Sequence, residues 1–257
     1  MDKRILYYLC PTFAQIIFAG LIALILRSNG YVCGYDSVWG IILIIAGGVS
    51  SALWGCVYQV RYNDRNIREI LKDFFHFKAD IRAYMLVAVF MILDFLDVMI
   101  SGSIQVTPIY IILVFLRSIA FGGIEEIGWR YTFQPFMEKK LPYSAATLAT
   151  FVFWGIWHFL FFYIDGSISA VQVFPFLMGL LTNCFILSAI YNYSNDLWLC
   201  VLAHSLINTF SLVIASESGP NVYVGMTARI LIIFISVLLS CRTGRKSEDD
   251  KYAEKKE

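Results

Sequence analysis

Charge is what this sequence has least of: Asp, Glu, Lys and Arg make up 15% of 257 residues, and 20 basic against 19 acidic side chains leave a net charge of +1. Soluble domains carry roughly 25%. The shortfall excludes an ordinary water-soluble domain, and the near balance excludes the basic footprint that nucleic acid requires. Cysteine is sparse as well. Cys10, Cys33, Cys56, Cys184, Cys200 and Cys241 contain no C-x-x-C or zinc-finger spacing and sit mostly in apolar segments, so they read as small buried hydrophobes. Histidine occurs three times and never as His-Glu-x-x-His. No segment repeats, and none alternates as barrel strands do.

Apolar length is abundant: 59% of residues are hydrophobic and the mean hydropathy is +0.69. Eight stretches approach or exceed the roughly 17–25 residues that cross a bilayer core. They are Ile5–Leu26, Val38–Val60, Arg82–Ile100, Pro108–Met137, Tyr143–Ile164, Val171–Tyr191, Leu197–Ala215 and Val222–Cys241. Lipid satisfies no backbone group, so each must be helical. The first is longer than a signal-peptide core and lacks a small-residue cleavage site, so it is read as an anchor. Lys and Arg cluster before the first stretch, after the second, after the fourth and after the eighth, while Ser101–Thr107, Asp165–Ala170 and Ser216–Asn221 have none. By the positive-inside rule both termini are cytoplasmic.

The expected fold class is therefore an all-α, polytopic integral membrane protein of about eight transmembrane helices. Residues 1–241 form one multi-pass domain, and 242–257 form a charged cytoplasmic tail with little to bury, expected to be disordered. The basic loop Arg61–Lys78, with Phe74, Phe75 and Phe77, is expected to lie on the anionic inner leaflet. Trp39, Trp54 and Trp198 near helix ends are expected as interface anchors.

An ionisable group at a helix centre costs about 2.5–3.5 kcal/mol on insertion scales, which makes such residues functional candidates. They gather in three stretches: Phe121-Gly-Gly-Ile-Glu-Glu-Ile-Gly-Trp-Arg130, Phe153-Trp-Gly-Ile-Trp-His158 and Leu202-Ala-His-Ser-Leu-Ile-Asn208. Glu126 and Arg130 are four apart with the acid first, the order that favours an ion pair. Glu125 is rotated about 100° from them, which leaves it as a working base with Glu126 and Arg130 as support. His204 and Asn208 share one helix face and can hold an oxyanion. His158 sits where Trp154, Gly155 and Trp157 shape a cleft. Counted from Lys139 and Lys140, Glu125 and His158 reach similar depths, whereas His204 lies nearer the inner end of its helix. Asp94 and Asp97 form a weaker group that reads as structural, and His76 reads as a loop residue.

These motifs resemble the CPBP family, the CAAX-protease and bacteriocin-processing membrane enzymes also called Abi. Glu125, Glu126 and Arg130 match its Glu-Glu-x-x-x-Arg, and Phe153 or Trp154 leading to His158 resembles its aromatic–His motif. His204 and Asn208 match its His-x-x-x-Asn, and the resemblance covers about 108–210. It implies a glutamic intramembrane endopeptidase with Glu125 as base aided by His158, His204 and Asn208 on the oxyanion, and Glu126 and Arg130 bracing the site. No cofactor is expected. A zinc reading of the same residues is the minority alternative, weakened by the engagement of one acid with Arg130. The expected partners are a peptide or membrane-protein substrate and the lipid bilayer, in a bacterial plasma membrane. Roles in bacteriocin processing or self-immunity fit. A non-enzymatic immunity or chaperone-like partner is the alternative.

Overall fold

A computed structural model describes residues 3–216 and 221–254, without the side chains of Ser101, Ala215, Ser216 and 242–254. The chain runs through α1 (Lys3–Ser28), α2 (Val38–Gly48), α3 (Ser50–Tyr62), α4 (Ile67–Phe74), α5 (Ile81–Asp94), α6 (Leu96–Ser101), β1 (Gly102–Ile104) and α7 (Pro108–Phe121). A 3₁₀ turn at Gly123–Glu125 then leads into α8 (Glu126–Gly128), a π-helical turn at Trp129–Phe133, and α9 (Gln134–Glu138). Last come α10 (Tyr143–Asp165), α11 (Val173–Ser194), α12 (Leu197–Val213), β2 (Ile214–Ser216) and α13 (Val222–Glu254).

Six segments among the described residues are helical, long and apolar enough to cross a membrane: Lys3–Ser28, Val38–Tyr62, Pro108–Glu138, Tyr143–Asp165, Val173–Ser194 and Val222–Cys241. α12 is a shorter apolar helix of 17 residues. The expected span Arg82–Ile100 is broken at Phe95 into α5 and α6, of 14 and 6 residues. α13 continues beyond Cys241 to Glu254. The side chains of the expected charged tail lie outside the described residues.

Two compact units divide the chain. The first comprises residues up to Phe74 together with Ile124–Leu181. In it α1 packs on α2, α3 and α10. Small residues make this close approach possible, as between membrane helices generally: a Cβ at Gly47 would sit 2.8 Å from Ile164, and one at Gly55 2.9 Å from the Gly128 Cα. Tyr8, Ile16, Ile44, Trp129, Phe133, Trp154 and Trp157 are buried, with the Trp157 indole donating to Ser50 Oγ at 2.9 Å. Arg27 explains its own isolation between two apolar stretches. Its guanidinium donates to the carbonyls of Tyr163, Ile164 and Cys33 at 2.6–2.8 Å and so closes the end of α10, where Gly166 takes φ 86°.

Proline shapes the segment that carries the acids. Pro135 has no N–H, so the Tyr131 carbonyl loses its usual donor four residues on. Gln59 of α3 supplies one, its amide lying 2.6 Å from Tyr131 O and 3.1 Å from Thr132 Oγ1. Thr132 in turn donates to Ile127 O at 2.8 Å, and the Gln134 N–H reaches back five residues to Trp129 O. Gln59→Leu is expected to cost about 1–3 kcal/mol by removing the donor to this part-buried carbonyl. A thermal midpoint equal to wild type in detergent would contradict that.

The second unit holds Phe75–Gly123 and the residues from Thr182 on. There α12 packs on α7 and α5, and α13 on α5 and α6. β1 and β2 pair antiparallel, Gly102 opposite Ser216 and Ile104 opposite Ile214. Asp97 is buried under α13, where a Cβ at Gly225 would sit 2.5 Å from its carboxylate. Arg229, one turn along, lies within electrostatic reach of Asp94. His76 bonds Asp196 at 2.6 Å. Of the expected interface anchors, Trp39 is 54% exposed. Trp198 is instead buried beneath Phe77 and donates to the Tyr84 hydroxyl at 3.0 Å, and Trp54 is half-buried with its N–H on Gln15 at 2.8 Å. The six cysteines are free thiols, four of them at least partly buried and Cys10 and Cys241 exposed.

Candidate active site

In the first unit the two neighbouring acids have different partners. Glu126 and Arg130 are fully buried, with Arg130 Nε 3.7 Å from Glu126 Oε2. Glu125, also buried, accepts a hydrogen bond from the Trp154 indole N–H at 2.8 Å on Oε2. Trp154 joins the two acids: the Arg130 guanidinium carbon lies 4.7 Å from the centre of its ring system. A cation over the indole face draws electron density from the ring and strengthens its N–H as a donor. Glu126 therefore anchors Arg130, Arg130 stacks on Trp154, and Trp154 holds one oxygen of Glu125.

His158 stands one turn beyond Trp154 on α10, half-buried, its ring centre 5.0 Å from that of Trp154. Its Nδ1 is 2.9 Å from the Trp154 carbonyl oxygen. A carbonyl only accepts, so Nδ1 carries the hydrogen and Nε2 the lone pair in the neutral ring. Trp157, Phe162 and Phe176 pack around the imidazole. Phe153, by contrast, packs on Phe13 and Phe133. Trp154 is thus the aromatic residue that contacts both Glu125 and His158.

Tyr8 also belongs here, and nothing in the sequence marked it. Its buried side chain packs edge-on to Trp129, and a Cβ at Gly128 would come within 2.5 Å of its hydroxyl and of the Ser51 carbonyl. Gly128 therefore lets α1 and α3 close on the segment carrying the acids.

In the second unit His204 is buried and Asn208 half-buried on one face of α12. Gly122, at the end of α7, lies against both. A Cβ there would be 3.2 Å from His204 Nε2 and would collide with the Asn208 amide nitrogen. At Gly123 a Cβ would be 2.8 Å from Val201 and 3.0 Å from Ser205 Oγ. The two glycines bring α7 onto α12 beside the His–Asn pair. Among the described residues no group of three or more His, Cys, Asp or Glu is arranged to hold a metal ion, and Glu126, one member of such a donor set, is engaged by Arg130.

All three motifs lie inside one region of family similarity. Residues 107–210 match the family model described as Type II CAAX prenyl endopeptidase Rce1-like. That match agrees with the family expected from the motifs and covers nearly the same residues. It supports a CAAX-type intramembrane protease, with a peptide or membrane protein as substrate, in a multi-pass membrane chain. No curated protein matches the chain.

Trp154→Phe keeps the ring against Arg130 and His158 but removes the N–H. Hydrogen bonds to charged groups contribute about 1.5–3 kcal/mol, so peptide cleavage is expected to fall roughly 10- to 100-fold, and the lost bond and lost volume at this fully buried indole should lower the thermal midpoint as well. An unaltered rate would show that the indole N–H does not position Glu125.

Proposed function

We propose that this chain is a glutamic intramembrane endopeptidase in which Glu125 is the general base. The observation that carries the reading is the unequal treatment of adjacent acids: Arg130 pairs with Glu126, while Glu125 meets a neutral donor, Trp154. A carboxylate held by one neutral hydrogen bond keeps its second oxygen for water.

In the proposed reaction Glu125 takes a proton from water as the resulting hydroxide adds to the scissile carbonyl carbon. The carbonyl becomes a tetrahedral oxyanion, stabilised by His204 and the Asn208 amide. Glu125 then returns its proton to the departing nitrogen as the C–N bond breaks, leaving a new carboxylate and a new amine. His158, its tautomer set by the Trp154 carbonyl, orients the water through Nε2. Side chains alone carry this chemistry.

The substrate is a membrane-associated peptide or membrane protein, such as a bacteriocin or pheromone leader, met at a bacterial plasma membrane. Purified protein in liposomes is expected to cut a membrane-anchored reporter peptide as fast with a strong chelator as without. Loss of cleavage on chelation, restored by zinc, would replace the glutamic mechanism with the metal one. Intact reporter under all conditions, with the fold retained, would favour a non-enzymatic partner.

A further inference from the structure

In the first unit α1 and α3 enclose a groove of about 690 Å³. This is within the range of small-molecule sites, roughly 300–1,000 Å³. Its walls are apolar and aromatic, including Leu6, Val57 and Trp54, whose N–H is satisfied by Gln15. One end differs. Lys3 and Arg61 line it, both exposed, and among the described lining residues none is acidic. Both cations lie at helix ends that the positive-inside rule assigns to the cytoplasm.

An apolar trough ending in two cations at the inner leaflet has the outline of an anionic phospholipid. We propose that this groove binds one such lipid, its acyl chain along Leu6, Val57 and Trp54 and its phosphate between Lys3 and Arg61. Chain burial alone gives no selectivity, because the surrounding lipid is as apolar as the groove. The head group decides. Each cation near the surface favours an anionic head about fivefold, and the two together roughly 30-fold. Tyr62 stiffens the mouth, with Arg61 5.8 Å over its ring and Tyr7 packed 5.7 Å from it. Pro11 adds a polar point: lacking an N–H, it leaves the Tyr7 carbonyl without its helical donor, and both residues line the groove. That carbonyl can accept from a glycerol head-group hydroxyl.

The groove contains none of the residues assigned to peptide cleavage. The test is native mass spectrometry of the full chain released from mixed micelles of dioleoyl phosphatidylglycerol and dioleoyl phosphatidylcholine. Retention of one phosphatidylglycerol, roughly 10- to 30-fold over phosphatidylcholine, is expected. Lys3→Gln with Arg61→Gln should erase the preference, Arg68→Gln on the neighbouring α4 should leave it, and Val57→Trp, which fills the trough, should lose both lipids. Equal retention of the two lipids, or a preference that survives the double charge change, would overturn the proposal. Displacement of the lipid by an uncharged isoprenyl alcohol at matching concentration would assign the groove to an isoprenoid instead.

Discussion

Glu125→Gln is expected to slow peptide cleavage about 1,000-fold while leaving the fold intact. The amide has nearly the shape of the carboxylate, and its oxygen can still accept from the Trp154 indole, which now lies 2.8 Å from Glu125 Oε2. What disappears is the ability to take a proton. Arg130 keeps Glu126 as its counter-charge when Glu125 is neutralised, so no buried cation is stranded. Activity and stability should therefore separate: kcat collapses and the thermal midpoint stays. A variant as active as wild type would contradict the role given to this residue. An unfolded variant would mean that Glu125 is needed for packing.

Arg130→Met has the second large effect, and it falls on the fold. Glu126 is wholly buried, and Arg130 supplies its counter-charge. Removing one partner of a buried pair typically costs about 3–5 kcal/mol, a large part of the 5–15 kcal/mol that holds an average protein folded. Replacing both partners, as in Glu126→Gln with Arg130→Met, removes both buried charges and should recover most of the loss. Cleavage should not recover with it, because Trp154 then has no cation over its face to hold the indole toward Glu125. Thermal midpoints and cleavage rates of the single and double variants separate the two effects. If the single variant were as stable as wild type, the ion pair would not be what keeps Glu126 in the core.

Much of this was legible along the chain, and the exceptions have physical causes. Length and hydropathy define a membrane helix almost alone, because lipid allows so few alternatives. That logic fails at Arg82–Ile100, where the apolar run is unbroken but the backbone turns at Phe95 and continues as a separate α6 beneath α13. Spacing pairs Glu126 with Arg130, since four residues is a local distance. It cannot choose between Phe153 and Trp154 as the aromatic partner of His158, because the choice is made by Glu125, which is 29 residues from Trp154. Tyr8 was hidden for the same reason: it lies in an apolar helix more than 100 residues from the segment it packs against, and a tyrosine there looks like any other core residue. Pro135 is a visible irregularity, but the remedy, Gln59, comes from another helix.

Glycine carries a clear signal in this sequence. Gly122, Gly123 and Gly128 flank the two acids within seven residues. Each marks a close approach, Gly122 to the His204–Asn208 pair and Gly128 to Tyr8 and Ser51. In membrane helices small residues mark contact. Such a cluster around adjacent acids points to a segment pressed on from several sides.

The central claim is that Glu125 draws a proton from water and that this water, not the protein, supplies the new oxygen. A single turnover in oxygen-18 water, followed by mass spectrometry of product and enzyme, tests it directly. One heavy oxygen is expected in the new carboxyl terminus of the peptide and none in Glu125. Heavy oxygen in Glu125, with an unlabelled product, would mean that the carboxylate attacks the substrate itself, and the proposed mechanism would be wrong.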